Sequence, residues 1–140
     1  MRQQMTQFTL INGDVIEFSN NIVTPLSCNG SQSSDRLGHI FFIPDTVVPL
    51  INAGKLAKDL FNLSKLALAK YDDSKTVLPV LIKHQEPLQA IDGLTIKQQF
   101  KIISFSSANI EKSQAAKVLQ MLLTDPAIEH IKLNEIYSLS

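Results

Sequence analysis

The chain has 140 residues, 44% hydrophobic and 19% charged, which is length and apolar content enough for one buried core and excludes a disordered polyelectrolyte. Thirteen basic and thirteen acidic residues cancel to a formal net charge of zero, so no broad positive field exists to recruit nucleic acid or an anionic membrane. The single cysteine, Cys28, excludes an internal disulfide; with a polar stretch at 1–7 and no apolar run long enough to span a bilayer, one cytoplasmic domain over 1–140 is expected.

Residues 8–18 predict a hairpin: Phe8, Leu10, Ile16 and Phe18 alternate around Asn12-Gly13-Asp14, and Asn-Gly accepts positive φ at both positions. Residues 19–38 carry weaker signals. Ile22, Val23 and Leu26 fit a short strand or one helical turn, and the small polar stretch 29–35 has loop chemistry. The run 39–43 fits a buried strand, stopped by Pro44-Asp45-Thr46, with Asp45 or Thr46 as a cap for the next helix. Pro49 is compatible with a first helical turn. The chain is then organised around a long helix at 50–70, where Ala53, Leu56, Leu60, Leu63 and Ala67 recur at spacings of three and four. Lys55, Lys58, Lys65 and Lys70 are expected on its solvated face.

Residues 77–82 form another apolar run, which Pro79 assigns to an edge strand or an extended crossing segment. After a loop at 84–93, Thr95 and Gln98 have capping-box spacing and Ile96, Phe100 and Ile103 follow at helical intervals, although 100–105 also alternates like a strand; helix is favoured. Asn109 is a candidate cap for a helix with Glu111 in its first turn and Ala115, Val118, Leu119 and Leu122 inward. Asp125 and Pro126 then predict a further helix, with Ile128, Ile131, Leu133 and Ile136 inward. The expected fold is α+β, an N-terminal β-hairpin and short strands packed on a long central helix and C-terminal helices.

Chemistry-bearing patterns are sparse. His39, His84, His130 and Cys28 lack zinc-pair spacing, Asp72-Asp73 and Asp92 lack the alternation of a calcium loop, and the glycines do not cluster before a helix. No serine sits in a nucleophile elbow. The expectation is a protein with no cofactor, no metal and no catalysis; a Cys28–His pair or two buried carboxylates in a pocket would revive an enzyme. What remains is surface. Val118, Met121, Leu122, Ile128 and Ile131 either complete the core or form a face that receives another protein.

The order of elements resembles the BTB/POZ fold, and within it the Skp-type adaptors of SCF ubiquitin ligases. The stretch FTLINGDVIEF is similar to their opening strand, turn and strand; Gln85-Glu86, Leu88, Asp92 and Thr95-Ile96 resemble the segment leading into their later helices. Val118, Met121, Leu122 and Pro126 resemble the end of that fold. The chain departs from it in the polar stretch 29–35, in Ser104-Phe105-Ser106-Ser107-Ala108, and in having no Trp, the residue of the tail that grips F-box partners. The resemblance implies an adaptor that docks partners through its last helices. A small bacterial immunity or chaperone-type protein that binds a toxin or effector is the alternative.

Overall fold

The computed structural model describes residues 6–85, 88, 90–100 and 105–134. The opening hairpin forms as its turn chemistry requires. β1 (Thr6–Thr9) and β2 (Val15–Ser19) pair antiparallel with Phe8 opposite Ile16. Gly13 adopts φ 89° and its N–H donates to the Leu10 carbonyl at 2.8 Å, a left-handed turn position that a side chain would strain. β3 (Ile22–Pro25) extends this sheet in the order β1-β2-β3.

The polar stretch expected to be a loop is a strand instead. β4 (Gly30–Ser34) pairs antiparallel with β5 (Ile40–Pro44), whose Ile40, Phe41 and Phe42 are buried. Its serines and Gln32 stay exposed, so local polarity reported exposure and not irregular backbone. The Gln32 side chain accepts from the Val23 N–H at 3.0 Å and donates to the Asn21 carbonyl at 2.8 Å, which ties the second sheet to the first.

The largest correction concerns 50–70, which holds no long helix. α1 (Val48–Asn52) is followed by an extended step, a 3-10 turn at Lys58–Phe61, and α2 (Leu63–Leu68). Neither Asp45 nor Thr46 caps the first of these turns through its side chain. α1 ends in a Schellman arrangement: Gly54 takes φ 78°, its N–H donates to Ile51 (3.1 Å), and the Lys55 N–H donates to Leu50 (2.9 Å). Asn62 then starts α2 by accepting the Lys65 N–H on its side-chain oxygen at 3.0 Å. Leu56, Leu60 and Leu63 are buried as their spacing predicts, but Ala53 and Ala67 are exposed because no single helix axis carries all five. The lysines disperse as well: Lys55 donates to the Ile128 carbonyl at 3.1 Å, and Lys58 lies 4.7 Å from the Phe41 ring centroid.

α2 closes with the same arrangement, but here a lysine occupies the left-handed position. Lys70 has φ 61°, with Lys70 N–H to Ala67 at 3.1 Å and Tyr71 N–H to Leu66 at 2.8 Å. Its side chain is exposed, so Lys70→Gly relieves backbone strain without removing a core contact. Chemical denaturation is expected to show a gain of about 0.5–1 kcal/mol. Unchanged or reduced stability would mean that this position carries no strain.

The third sheet contains β6 (Val77–His84), β7 (Leu94–Phe100), β8 (Phe105–Glu111) and β9 (Ile128–Leu133), all antiparallel, in the order β7-β8-β6-β9. α3 (Ala115–Thr124) joins β8 to β9 after a 3-10 turn at Lys112–Gln114. Four expectations are corrected here. The helix predicted from Thr95 is β7 as far as Phe100, and 101–104 lie outside the described residues. Asn109 lies within β8 and caps nothing, α3 having Gln114 at its N-cap without a side-chain bond. The helix predicted after Asp125 is β9, with Asp125 accepting the Ala127 N–H at 2.9 Å in a turn; Ile136 lies outside the described residues. Pro79 sits in β6, an interior strand flanked by β8 and β9. Its carbonyl accepts the Asn134 N–H at 3.1 Å, one step past Leu133, the last residue of β9 paired with β6. The missing proline N–H therefore falls where the ladder ends, and no strand bond is lost.

One cluster of buried side chains runs through all three sheets and α3, from Phe8 and Ile16 through Phe61 and Leu63 to Ile82, Ile110, Val118 and Ile131. The expected α+β arrangement on a long central helix is thus corrected to a mostly β fold of three antiparallel sheets: short turns of helix occupy 50–70, strands replace the helices expected from Thr95 and after Asp125, and α3 alone of the expected C-terminal helices is present among the described residues. Among the described residues no helix is long and apolar enough to cross a membrane.

Candidate functional site

The five residues expected to contact a partner do not share a surface. Val118, Leu122, Ile128 and Ile131 are 0–2% exposed and complete the core, whereas Met121 is 44% exposed on the outer side of α3. Of the two roles left open for these residues, the four buried ones take completion of the core. α3 turns Ala115, Val118, Leu119 and Leu122 inward and leaves Ala116, Gln120, Met121 and Thr124 at the surface.

The outward side of α3 borders an open groove of about 360 Å³. Val47, Leu50, Leu119 and Leu123 give it apolar walls, and Asn12, Asp14, Thr46, Gln120 and Thr124 give it polar lips. The hairpin turn abuts α3 so closely that a Cβ on Gly13 would lie 2.8 Å from that of Ala116, which fixes one end of the groove. Asp14 is held by the Asn12 side-chain amide at 2.7 Å.

Burial, and then the Asp14 and Asp45 carboxylates, push the Cys28 thiol up to about 11. Its electrostatic neighbours thus oppose a thiolate, the reverse of what a nucleophile needs. At pH 8 the thiolate fraction is about 100-fold below that of an ordinary thiol. Alkylation of Cys28 by iodoacetamide, followed by mass spectrometry, is expected to be slower by about that factor, and Asp14→Asn is expected to speed it several-fold. Reaction at the rate of a free cysteine peptide would overturn this electrostatic picture.

A larger cleft, about 600 Å³, lies between the first hairpin and the third sheet, with Thr9, Asp73, Lys75, Glu111 and Lys112 among its lining residues. Its charged floor is occupied by internal contacts. The Lys112 side chain is only 7% exposed, and its ammonium donates to the carbonyls of Tyr71 (2.8 Å) and Asp72 (2.6 Å) and to Asp73 (3.3 Å). Asp73 in turn accepts from the Thr9 N–H and hydroxyl, both at 2.8 Å, and from the Gln7 amide at 2.9 Å. Burial lowers the Lys112 pKa, with Asp73 opposing that shift. A lysine with a lowered pKa can serve as a base or nucleophile, but this one has three acceptors for three donors and acts as a clamp.

A second buried polar pair links two strands of the third sheet. His84 Nε2 and Ser106 Oγ lie 2.7 Å apart on the face that also carries Ile82 and Ala108. Ser106 is 0% exposed, and neither residue lines the groove or the cleft. His130 Nδ1 donates to the Gly54 carbonyl at 2.7 Å, and His39 lies beside Asp35 and Asn62. Among the described residues, no group of three or more His, Cys, Asp or Glu side chains is placed to share a metal ion.

The sequence offered one signal toward the groove, the exposed positions 116, 120 and 124 of α3 at helical spacing. Its other wall comes from segments far away in the chain. Comparison with protein-family models, with curated proteins and with solved structures finds no match.

Proposed function

We propose that this chain is a non-catalytic domain that binds another protein through the groove beside α3. The observation that carries the reading is the groove itself: apolar walls and polar lips, open at the surface, built from three segments far apart in the chain. Support also comes from what the polar groups elsewhere are doing. Lys112 and Asp73 satisfy backbone and hydroxyl partners, and Ser106 is sealed in the core. An adaptor of the Skp type is not proposed, because among the described residues 50–70 hold only short helical turns and 128–133 a strand, where that reading placed a long helix and a last helix.

The test uses three immobilised proteins in extract of the encoding organism: the natural chain, Gln120→Arg at the groove lip, and Leu37→Asp. Leu37 is 79% exposed at the tip of the β4–β5 hairpin, away from the groove residues in sequence, and serves as the surface control. A protein retained by the natural chain and by Leu37→Asp, and reduced at least about tenfold on Gln120→Arg, supports the groove; the identity of that protein shows whether it is a toxin or effector. Equal retention by all three proteins overturns it.

A further inference from the structure

We infer that Asn29 is a site of spontaneous covalent modification, at which the Gly30 nitrogen displaces the side-chain amide and leaves aspartyl and isoaspartyl chains, while the matching pair at Asn12 is protected by the fold. The sequence holds two Asn-Gly pairs, 12–13 and 29–30, and in both the absence of a Cβ on the second residue leaves its nitrogen open to attack the first. The fold treats them differently. Gly13 donates its N–H to the Leu10 carbonyl at 2.8 Å. The Asn12 side chain is held at both ends: its amide donates to Asp14 Oδ2 at 2.7 Å, and its oxygen accepts the Asp14 N–H at 3.2 Å. Nucleophile and electrophile are both tied down.

At 29–30 neither is. The Asp45 N–H donates to the Asn29 carbonyl at 2.9 Å, so Gly30 and Pro44 face each other as a pair without mutual hydrogen bonds. That register turns the Gly30 N–H away from β5, and no described residue accepts it. Asn29 is exposed just outside β4, and its side chain has no hydrogen-bond partner among the described residues. Rotation about this one residue at the strand end brings Cγ to the Gly30 nitrogen. The glycine itself is set by packing, because a Cβ at 30 would lie 2.5 Å from the Ile43 carbonyl oxygen and 2.7 Å from the Phe42 ring.

Hydroxide takes the Gly30 amide proton, and the nitrogen attacks Asn29 Cγ. The N–Cγ bond forms, the Cγ–Nδ2 bond breaks, and ammonia leaves with a proton from water. Water then opens the five-membered imide at either carbonyl, so that amide and water become carboxylate and ammonium. The isoaspartyl product carries an extra backbone carbon where Asn29 meets Asp45, one residue before Thr46 in the groove wall.

The test incubates the natural protein warm at mildly alkaline pH, folded and in urea, and reads amide-to-acid conversion at both sites by peptide mass spectrometry. Each site's folded rate is divided by its rate in urea, which removes the effect of local sequence. That ratio is expected to be at least about tenfold higher for Asn29 than for Asn12, with the folded rate at Asn29 rising with pH. Asn29→Gln, which moves the amide one carbon further out, is expected to stay unconverted at position 29. An equal or lower ratio at Asn29, or a folded Asn29 still intact when the urea sample has converted, overturns the inference.

Discussion

Ile131→Asp is expected to unfold the domain, while Met121→Asp is expected to leave its melting temperature within about 2 °C of the natural protein. Ile131 is fully buried in β9 opposite Ile82, and both of its backbone polar groups are committed to the 55–57 segment. Its N–H donates to the Lys55 carbonyl and its own carbonyl accepts the Ala57 N–H, each at 2.9 Å. Truncating a buried isoleucine costs about 2–5 kcal/mol from lost transfer and the cavity left behind. A carboxylate placed there adds the cost of an unpaired charge, and the sum reaches the whole stability of about 5–15 kcal/mol typical of a domain. Met121, by contrast, loses only surface contact and some helix propensity, about 0.5 kcal/mol. Far-ultraviolet circular dichroism and urea titration of both variants check the pair. A folded, cooperative Ile131→Asp protein would show that β9 is not part of the core.

The second large effect is expected at Lys112. Lys112→Met keeps most of the stem volume but removes every donor, leaving the carbonyls of Tyr71 and Asp72 without their ammonium and Asp73 without its cation. The expected loss is about 3 kcal/mol, or about 10 °C in melting temperature for a chain of this size. Asp73 keeps its bonds from Thr9 and Gln7, so the first hairpin stays attached, and the local loss falls on the 71–73 segment. The pH profile offers a second readout. The folded-state pKa of Lys112 lies below its ordinary value of 10.5, so between the two the unfolded chain holds a proton that the folded chain has released. Stability contributed by this group therefore rises with pH across that window, and the Lys112→Met profile lacks the rise. A variant as stable as the natural protein, with the same alkaline profile, would show that the ammonium contributes nothing.

The two strands read as helices are the two whose ladders are irregular. In β9, Lys83 pairs with His130 but His84 pairs with Ile128, leaving Glu129 as an extra residue. The bulge puts Ile128 and Ile131 on the same buried face at a spacing of three, which imitates a helix. In β7 the register skips Lys97 in the same way, so alternation fails where the capping-box spacing of Thr95 and Gln98 was most persuasive. The punctuation of the central segment was present in the sequence: Gly54 is where α1 ends and Asn62 is where α2 begins. Periodicity across Leu56, Leu60 and Leu63 outweighed it, because a segment that turns repeatedly against one core can bury the same residues as a straight helix.

What was legible was local. The hairpin around Gly13, the strand read at 39–43 and observed at 40–44, and the inner stripe of α3 each depend on neighbours within a few residues, and each is present. The groove draws on segments near 12–14, 46–50 and 116–124, which no pattern within one window connects. The same separation hid the roles of Lys112 and Asp73, whose partners lie about 40 and 64–66 residues away.

The link between the 55–57 segment and Ile131 also sets a schedule for biosynthesis. Leu56, Leu60 and Phe61 are fully sealed in a core to which β9 contributes, and the two bonds across that junction join stretches synthesised far apart in time. A nascent chain translated through the first sheets and α3 still lacks this covering strand, so its apolar middle stays within reach of chaperones until the 128–133 stretch clears the exit tunnel. Closure of that junction joins residues about 75 apart, a long-range contact of the kind that slows folding, so removal of the 128–133 stretch is expected to leave the apolar middle uncovered.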